Sequence, residues 1–153
     1  MIKVMFVCLG NICRSPMAEF VLKNMVKKKG LENKFYIKSS ATSTEALGED
    51  LHYGTKDKLK EKGIPFEKRK ATLLKQEDYK KYDYIIAMEE KNIYNIYKII
   101  SEDKEEKVYK LLDFTDEPRD IQDPWYTGNF EVTYNDIVKG CEGFLNYLGK
   151  IKM

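Results

Sequence analysis

The sequence predicts an α/β fold, a single domain over residues 1–153, in which a four-stranded, parallel, doubly wound sheet carries helices on both faces. Short apolar runs rich in β-branched residues alternate with longer segments whose apolar residues recur at helical spacing. The run 84–88 is apolar throughout, which is typical of a strand buried on both faces. We expect the strand order 2-1-3-4, which places the loop after the first strand at the switch point where such sheets bind ligands.

The elements follow in order along the chain. Strands are predicted at 2–7, 34–39, 84–88 and 108–112, and helices at 15–29, 52–62, 76–81, 89–100 and 130–148. Gly30 and Gly63 end the first two helices. Three segments connect these elements: the small polar loop 40–48 at the active edge, an extended piece at 67–74, and a long irregular connection at 113–127.

The last predicted helix carries a broad apolar stripe that should face the core. It consists of Val132, Ile137, Val138, Cys141, Phe144, Leu145 and Leu148. Cys141 lies on this stripe, and a buried cysteine usually behaves as a small apolar side chain. We therefore expect Cys141 to be part of the core and not a reactive thiol.

Composition predicts a cytoplasmic protein without a nucleic-acid or membrane partner. The net charge is only +2, and the run Lys27–Lys29 fits a helix end better than a nucleic-acid site, since no arginines or aromatic residues interleave with it. The sequence contains no secretion signal and no apolar run of the roughly 18 residues that span a bilayer. The three cysteines form no disulfide or metal-ligand pattern, as expected in a reducing compartment.

The most informative stretch is 8–16, Cys-Leu-Gly-Asn-Ile-Cys-Arg-Ser-Pro, between the first strand and the first helix. Backbone N–H groups converge in such a loop, and the helix dipole adds positive charge, so the loop can bind a phosphate group. A thiol in this position ionises easily, which predicts a Cys8 thiolate near neutral pH. The guanidinium of Arg14 matches two oxygens of a phosphoryl group. The alternative is that Cys8 is a buried apolar residue and Arg14 a surface charge, but their combination at this junction favours the phosphate site.

Three further residues suit this loop. Gly10 permits the backbone conformations that a closely wrapped loop needs. Asn11 is expected to hold the loop open by bonding neighbouring amides. Ser15 is placed to cap the helix and to donate a hydrogen bond to the Cys8 sulfur.

A second motif, in the connection before the last helix, supplies a candidate general acid. A thiolate that attacks phosphorus expels an alkoxide or phenolate, which needs a proton donor. Asp123 is that candidate; Pro124 restricts the backbone after it, and Trp125 and Tyr126 offer aromatic faces for a phenyl ring. The segment alone would fit an ordinary Asp-Pro turn. Rival acids on the same connection are Asp113, Asp116 and Asp120.

With these two motifs in place, the chain resembles the low-molecular-weight protein tyrosine phosphatases over nearly its whole length. The resemblance implies that Cys8 is the nucleophile and forms a cysteinyl-phosphate, that Arg14 binds the phosphate and the transition state, and that Asp123 acts first as acid and then as base. It also implies which residues bind the phosphate and the substrate: Leu9, Gly10, Asn11, Ile12, Cys13, Ser15, Trp125 and Tyr126.

The resemblance has further implications and two departures. Cys13 would trap oxidised Cys8 as a disulfide, and Asn11 and Ser15 would organise the loop. The resemblance implies no metal and no cofactor. It implies a monomer that acts on phosphotyrosine-bearing proteins. Many members have a histidine near residues 67–71, where this chain has Lys68-Arg69-Lys70, and several have an aromatic residue where this chain has Glu45.

Three other functions remain as alternatives. A thiol-dependent arsenate reductase would use the same loop, but it needs relay cysteines that are absent between Cys13 and Cys141. A phosphoarginine phosphatase of this fold would be expected to carry threonine in place of Ile12. A non-catalytic phosphate-binding module, or a phosphate carrier, would not need Asp123. A Cys-His protease is excluded, because the single histidine, His52, lacks a relay signature and is expected to cap a helix or face solvent.

Overall fold

The computed structural model describes residues 1–152 and has a four-stranded parallel sheet at its centre. The strands are β1 (Ile2–Cys8), β2 (Phe35–Ala41), β3 (Tyr84–Ala87) and β4 (Val108–Lys110). Their spatial order is β2-β1-β3-β4, and every neighbouring pair is parallel. The predicted fold class and strand order are confirmed. Because β1 pairs on both sides, the loop that follows it lies at the middle of the sheet's carboxyl edge.

The helices connect these strands in the predicted sequence. They are α1 (Arg14–Lys28), α2 (Tyr53–Glu61), α3 (Asp78–Lys81), α4 (Glu90–Ile100), α5 (Pro124–Thr127) and α6 (Phe130–Lys152), with 3-10 turns at Glu32–Lys34 and Leu111–Phe114. None of the helices within residues 1–152 is both long enough and apolar enough to span a bilayer.

The two faces of the sheet are covered by different helices. Successive side chains of β1 point to opposite faces, so Phe6 packs with the residues of α1, α2 and α6, whereas Val7 packs with those of α4. Cys141 is fully buried in the larger cluster, which confirms the prediction that it belongs to the core.

The strand predicted at 108–112 is too long. β4 ends at Lys110, and Leu111 and Leu112 form a buried 3-10 turn. Leu111 packs under α6, where a Cβ atom on Gly140 would lie 2.4 Å from the Leu111 Cγ. The apolar character of this pair therefore reflects burial beneath α6, and burial alone does not distinguish a strand from a turn.

Other boundaries also differ from the prediction. The connection 113–127 is not irregular throughout, since α5 occupies its end. The last helix continues past Leu148 to Lys152, and Val132 on its predicted stripe is 40% exposed. The extended piece at 67–74 joins the sheet only through one bridge between Leu73 and Ala41.

Candidate active site

A cleft of about 260 Å³ opens at the carboxyl edge of the sheet. It lies between the phosphate loop (residues 8–15), the segment after β2 and the start of α5. Its lining residues are Cys8, Leu9, Gly10, Ile12, Cys13, Arg14, Ser43, Glu45, Ala46, Glu49, Asp123, Trp125 and Tyr126. The two sequence motifs, more than 100 residues apart, thus meet in one cleft, and the loop after β2 forms one of its walls.

The Cys8 sulfur lies at the base of the cleft, surrounded by hydrogen-bond donors. The backbone N–H groups of Asn11 and Ser15 lie 3.3 and 3.4 Å from Sγ, and the Ser15 hydroxyl lies 3.0 Å from it. Donors that converge on one atom stabilise negative charge there. This geometry suits a thiolate, although Cys8 is almost fully buried within the protein.

Asn11 holds the loop through side-chain bonds that differ from those expected. It is fully buried and adopts a left-handed conformation with φ of 58°, which asparagine tolerates better than most residues. Its Nδ2 donates to the hydroxyls of Ser15 and Ser39 at 2.9 Å each, and its Oδ1 accepts from the Thr72 amide at 3.2 Å. Ser39 in turn donates to Glu19 Oε1 at 2.6 Å. A buried polar chain therefore runs from Glu19 to the loop.

Ser15 contacts the sulfur but does not cap the helix. α1 begins at Arg14, and no side chain caps it. The Ser15 hydroxyl accepts a hydrogen bond from Asn11, so its single proton is available for an acceptor. The Cys8 sulfur at 3.0 Å is closer than the Ser40 carbonyl at 3.4 Å, which favours donation to sulfur.

Arg14 is not a surface charge, because its side chain is only 1% exposed. Nη1 donates to the Ile121 carbonyl at 2.9 Å and contacts Glu89 Oε2 at 2.5 Å, while Nη2 contacts Asp123 Oδ2 at 3.3 Å. These acceptors compensate the buried charge and fix the direction of the guanidinium.

Asp123 is the only acid of the 113–123 connection that lines the cleft. It is also the N-cap of α5, since its Oδ1 accepts from the Trp125 amide at 3.0 Å. Among the rivals, Asp113 accepts from the Lys110 amide, Asp116 pairs with Lys139, and Asp120 bonds the Glu90 amide and Lys110 Nζ. The rivals therefore hold surface structure around the connection.

Cys13 lines the cleft beside Cys8 but is a different kind of thiol. Burial, followed by the charges of Cys8 and Asp123, raises the pKa of Cys13 to about 12, although a hydrogen bond from Thr55 opposes this. Cys13 therefore carries its proton at neutral pH. All three cysteines are free thiols in the structure.

One residue that contacts the loop was missed by the sequence prediction. Arg69 lies within the segment where relatives were expected to carry histidine, and it donates from Nη2 to the Asn11 carbonyl and from Nη1 to the Glu49 carbonyl at 3.3 Å. A possible signal was the presence of an arginine in a chain that otherwise uses lysine, since the sequence has only three arginines. Because Lys68 and Lys70 flank Arg69, the sequence pattern did not distinguish it from its basic neighbours.

Aromatic residues form the outer wall of the cleft. Trp125 and Tyr126 are 59% and 76% exposed. The His52 ring meets the Trp125 ring edge to face at 5.4 Å, and His52 Nδ1 accepts from the Gly54 amide at 3.0 Å. His52 thus caps α2 as predicted and also supports the aromatic wall.

No group of three or more His, Cys, Asp or Glu side chains within residues 1–152 is arranged to hold a metal ion. The chemistry that this cleft offers comes from a sulfur surrounded by donors, a buried guanidinium and a carboxyl group.

Comparison with known proteins places this geometry in a family. The family described as low molecular weight phosphotyrosine protein phosphatase matches the chain over residues 3–152. The low molecular weight protein-tyrosine-phosphatase YfkJ of Bacillus subtilis (strain 168) is 40% identical over 154 residues, covering 99% of each chain. PtpA of Staphylococcus aureus (strain MRSA252), with the same description, is 38% identical over 98% of this chain and 96% of its own. The crystal structure of YfkJ superposes with a TM-score of 0.96 at 39% identity, covering 100% of this chain and 98% of that one.

Proposed function

Since the chain belongs to the low molecular weight phosphotyrosine protein phosphatase family, and is therefore a protein-tyrosine-phosphatase, we propose that it hydrolyses phosphotyrosine in proteins through a cysteinyl-phosphate intermediate. The observation that carries the mechanism is the meeting of three groups in one cleft: the Cys8 sulfur, the buried Arg14 and the carboxyl of Asp123.

In the first step the Cys8 thiolate attacks phosphorus. The phosphate oxygens lie in the loop, where its amides and Arg14 stabilise the charge of the transition state. The S–P bond forms as the P–O bond to tyrosine breaks. Asp123, in its protonated form, gives its proton to the leaving phenolate oxygen.

In the second step water releases the phosphate. The Asp123 carboxylate takes a proton from water, the water oxygen attacks phosphorus, and the S–P bond breaks. Inorganic phosphate leaves and Cys8 returns to the thiolate, which the hydroxyl of Ser15 at 3.0 Å stabilises. The proton that Asp123 lost in the first step is thereby restored.

The contact between Arg14 and Asp123 suggests how substrate binding prepares the acid. Nη2 of Arg14 lies 3.3 Å from Asp123 Oδ2. A phosphoryl dianion competes for this guanidinium and adds negative charge beside the carboxyl. Substrate binding therefore frees the Asp123 carboxyl from the guanidinium, so that it can face the leaving group.

The cleft walls support an aryl phosphate as substrate. Trp125 and Tyr126 offer aromatic faces, and the apolar Ile12 lines the same cleft. A single chain is the proposed active unit, because all the residues of the mechanism lie in one chain. A cytoplasmic location is also part of the proposal, since a thiolate nucleophile needs a reducing environment.

The mechanism is tested by two substitutions and one control. Cys8→Ser should abolish turnover while phosphate still binds. Asp123→Ala should slow aryl phosphate hydrolysis by about 10²–10⁴-fold, with the largest effect on esters whose leaving group is a poor one. Asp120→Ala is the matched control and should behave as wild type. If Asp120→Ala slows hydrolysis and Asp123→Ala does not, the acid is wrongly assigned.

Substrate class is tested by comparing kcat/KM for phosphotyrosine, phosphoserine and phosphoarginine substrates under one set of conditions, with arsenate and a thiol donor as a further arm. Phosphotyrosine should be preferred. A preference for phosphoarginine, or reduction of arsenate at a higher rate, would contradict the proposed substrate while leaving the role of Cys8 intact.

A further inference from the structure

Arg69 is half-buried and contacts the phosphate loop. Its guanidinium donates to the backbone carbonyls of Asn11 and Glu49, and its own backbone N–H donates to Asp50 Oδ1 at 3.2 Å. The lysines on either side of it in the sequence are exposed. Arg69 is therefore the one member of this basic run that contacts the loop.

The carbonyl that Arg69 binds belongs to the residue that also contacts the sulfur. Asn11 has a left-handed backbone conformation, with φ of 58°, and its backbone N–H lies 3.3 Å from the Cys8 Sγ. Asn11 is thus held at three points: its side chain, its carbonyl and its amide. Since an unusual backbone conformation persists only where the surroundings impose it, the bond from Arg69 helps to keep this amide directed at the sulfur.

The charge of Arg69 is less neutralised than that of Arg14. Arg14 contacts the carboxylates of Glu89 and Asp123, whereas the acceptors of the Arg69 guanidinium are neutral carbonyls. Burial lowers the pKa of Arg69, and the charges of Glu19, Asp50 and Cys8 oppose this, which places Cys8 within electrostatic reach of it. The charged and titratable groups around the loop are Arg14, Arg69, Cys13, Glu19, Glu45, Glu49, Asp50, Glu89 and Asp123.

We propose that Arg69 is a positioning residue for the Cys8 nucleophile: it fixes the Asn11 peptide against the sulfur, and its positive charge favours the thiolate. This role rests on the function proposed above for Cys8. It accounts for how the loop is supported in a chain that has no histidine in the 67–71 segment.

The test measures the rate of Cys8 alkylation by iodoacetamide as a function of pH, with the adduct assigned by mass spectrometry. Arg69→Met removes both the donor and the charge, and it should raise the pH midpoint of Cys8 alkylation by about 0.5 or more. At pH values below the midpoint, kcat/KM for an aryl phosphate should fall by roughly threefold or more. Arg69→Lys keeps the charge and should restore part of both values.

Matched controls are Lys68→Met and Lys70→Met, which remove one exposed positive charge on either side. Neither should move the midpoint measurably. A folded Arg69→Met variant whose midpoint equals that of these controls would overturn the proposal. If Arg69→Met does not fold, as judged by circular dichroism, Arg69→Gln provides the same test because its amide lacks the charge, and an unchanged midpoint again overturns it.

The same titration separates this proposal from the function on which it rests. If wild-type Cys8 reacts with the profile of an ordinary thiol, with a midpoint near pH ~8.5, the proposed role of Cys8 itself fails. If wild-type Cys8 reacts at lower pH and the Arg69→Met variant matches it, only the role of Arg69 fails.

Discussion

Replacing Asn11 with alanine should damage stability and catalysis together. The substitution removes three hydrogen bonds, to Ser15, Ser39 and the Thr72 amide, each with a net value of about 1 kcal/mol. It also places alanine at φ of 58°, which costs roughly 1 kcal/mol more. The free energy of unfolding should therefore fall by about 4 kcal/mol, which lowers the Tm of a domain of this size by roughly 8–16 °C.

Differential scanning calorimetry measures this change, and Asn33→Ala is the matched control because Asn33 is exposed. The control should alter the free energy of unfolding by less than about 0.5 kcal/mol. In Asn11→Ala the Ser15 hydroxyl also loses a donor that orients it, so kcat should fall by about tenfold or more. A Tm loss no larger than that of Asn33→Ala would refute the view that Asn11 holds the loop.

Three further changes have defined outcomes. Glu89→Gln removes a carboxylate from the buried arginine of the loop and should lower the free energy of unfolding by about 1.5–3 kcal/mol in urea titrations. Gly54→Ala should cost about 1–3 kcal/mol by calorimetry, because its Cβ would lie 2.4 Å from the Phe130 ring. Burial raises the pKa of Asp50, but hydrogen bonds, chiefly from Lys56, lower it to about 2, below its unfolded value of about 3.9. The ionised Asp50 therefore stabilises the folded protein above pH ~4, and this stabilisation is lost as the pH falls towards 2. Asp50→Asn should accordingly make Tm less dependent on pH over that interval.

The sequence predicted those features that depend on local pattern. The strand order followed from the alternation of elements, and the loop 8–15 was recognised because Cys8 and Arg14 occur together at a strand-to-helix junction. α5 carries a complete local signal, with Asp123 as N-cap and Pro124 at its first position, but the segment was predicted as part of an irregular connection.

The parts that were missed depend on contacts between distant residues. Nothing near Ser39 in the sequence indicates that it joins Asn11 to Glu19, since each hydroxyl or carboxylate has many possible partners. Arg69 donates to the Asn11 carbonyl, and a sequence does not indicate which of its many backbone carbonyls a side chain binds. The packing of Leu111 under α6 is likewise a tertiary contact, so apolar character alone could not separate it from a strand.

The long sequence separation of the Arg14 contacts has a consequence for biosynthesis. The acceptors at Ile121 and Asp123 lie 107 and 109 residues downstream. During translation, Cys8 and the whole loop leave the ribosome long before these acceptors exist, so the arginine can take up its final direction only after most of the chain has been made. Catalytic competence therefore comes only after most of the chain has been synthesised, and a chain that ends before Ile121 would carry the nucleophile without the acceptors that direct Arg14.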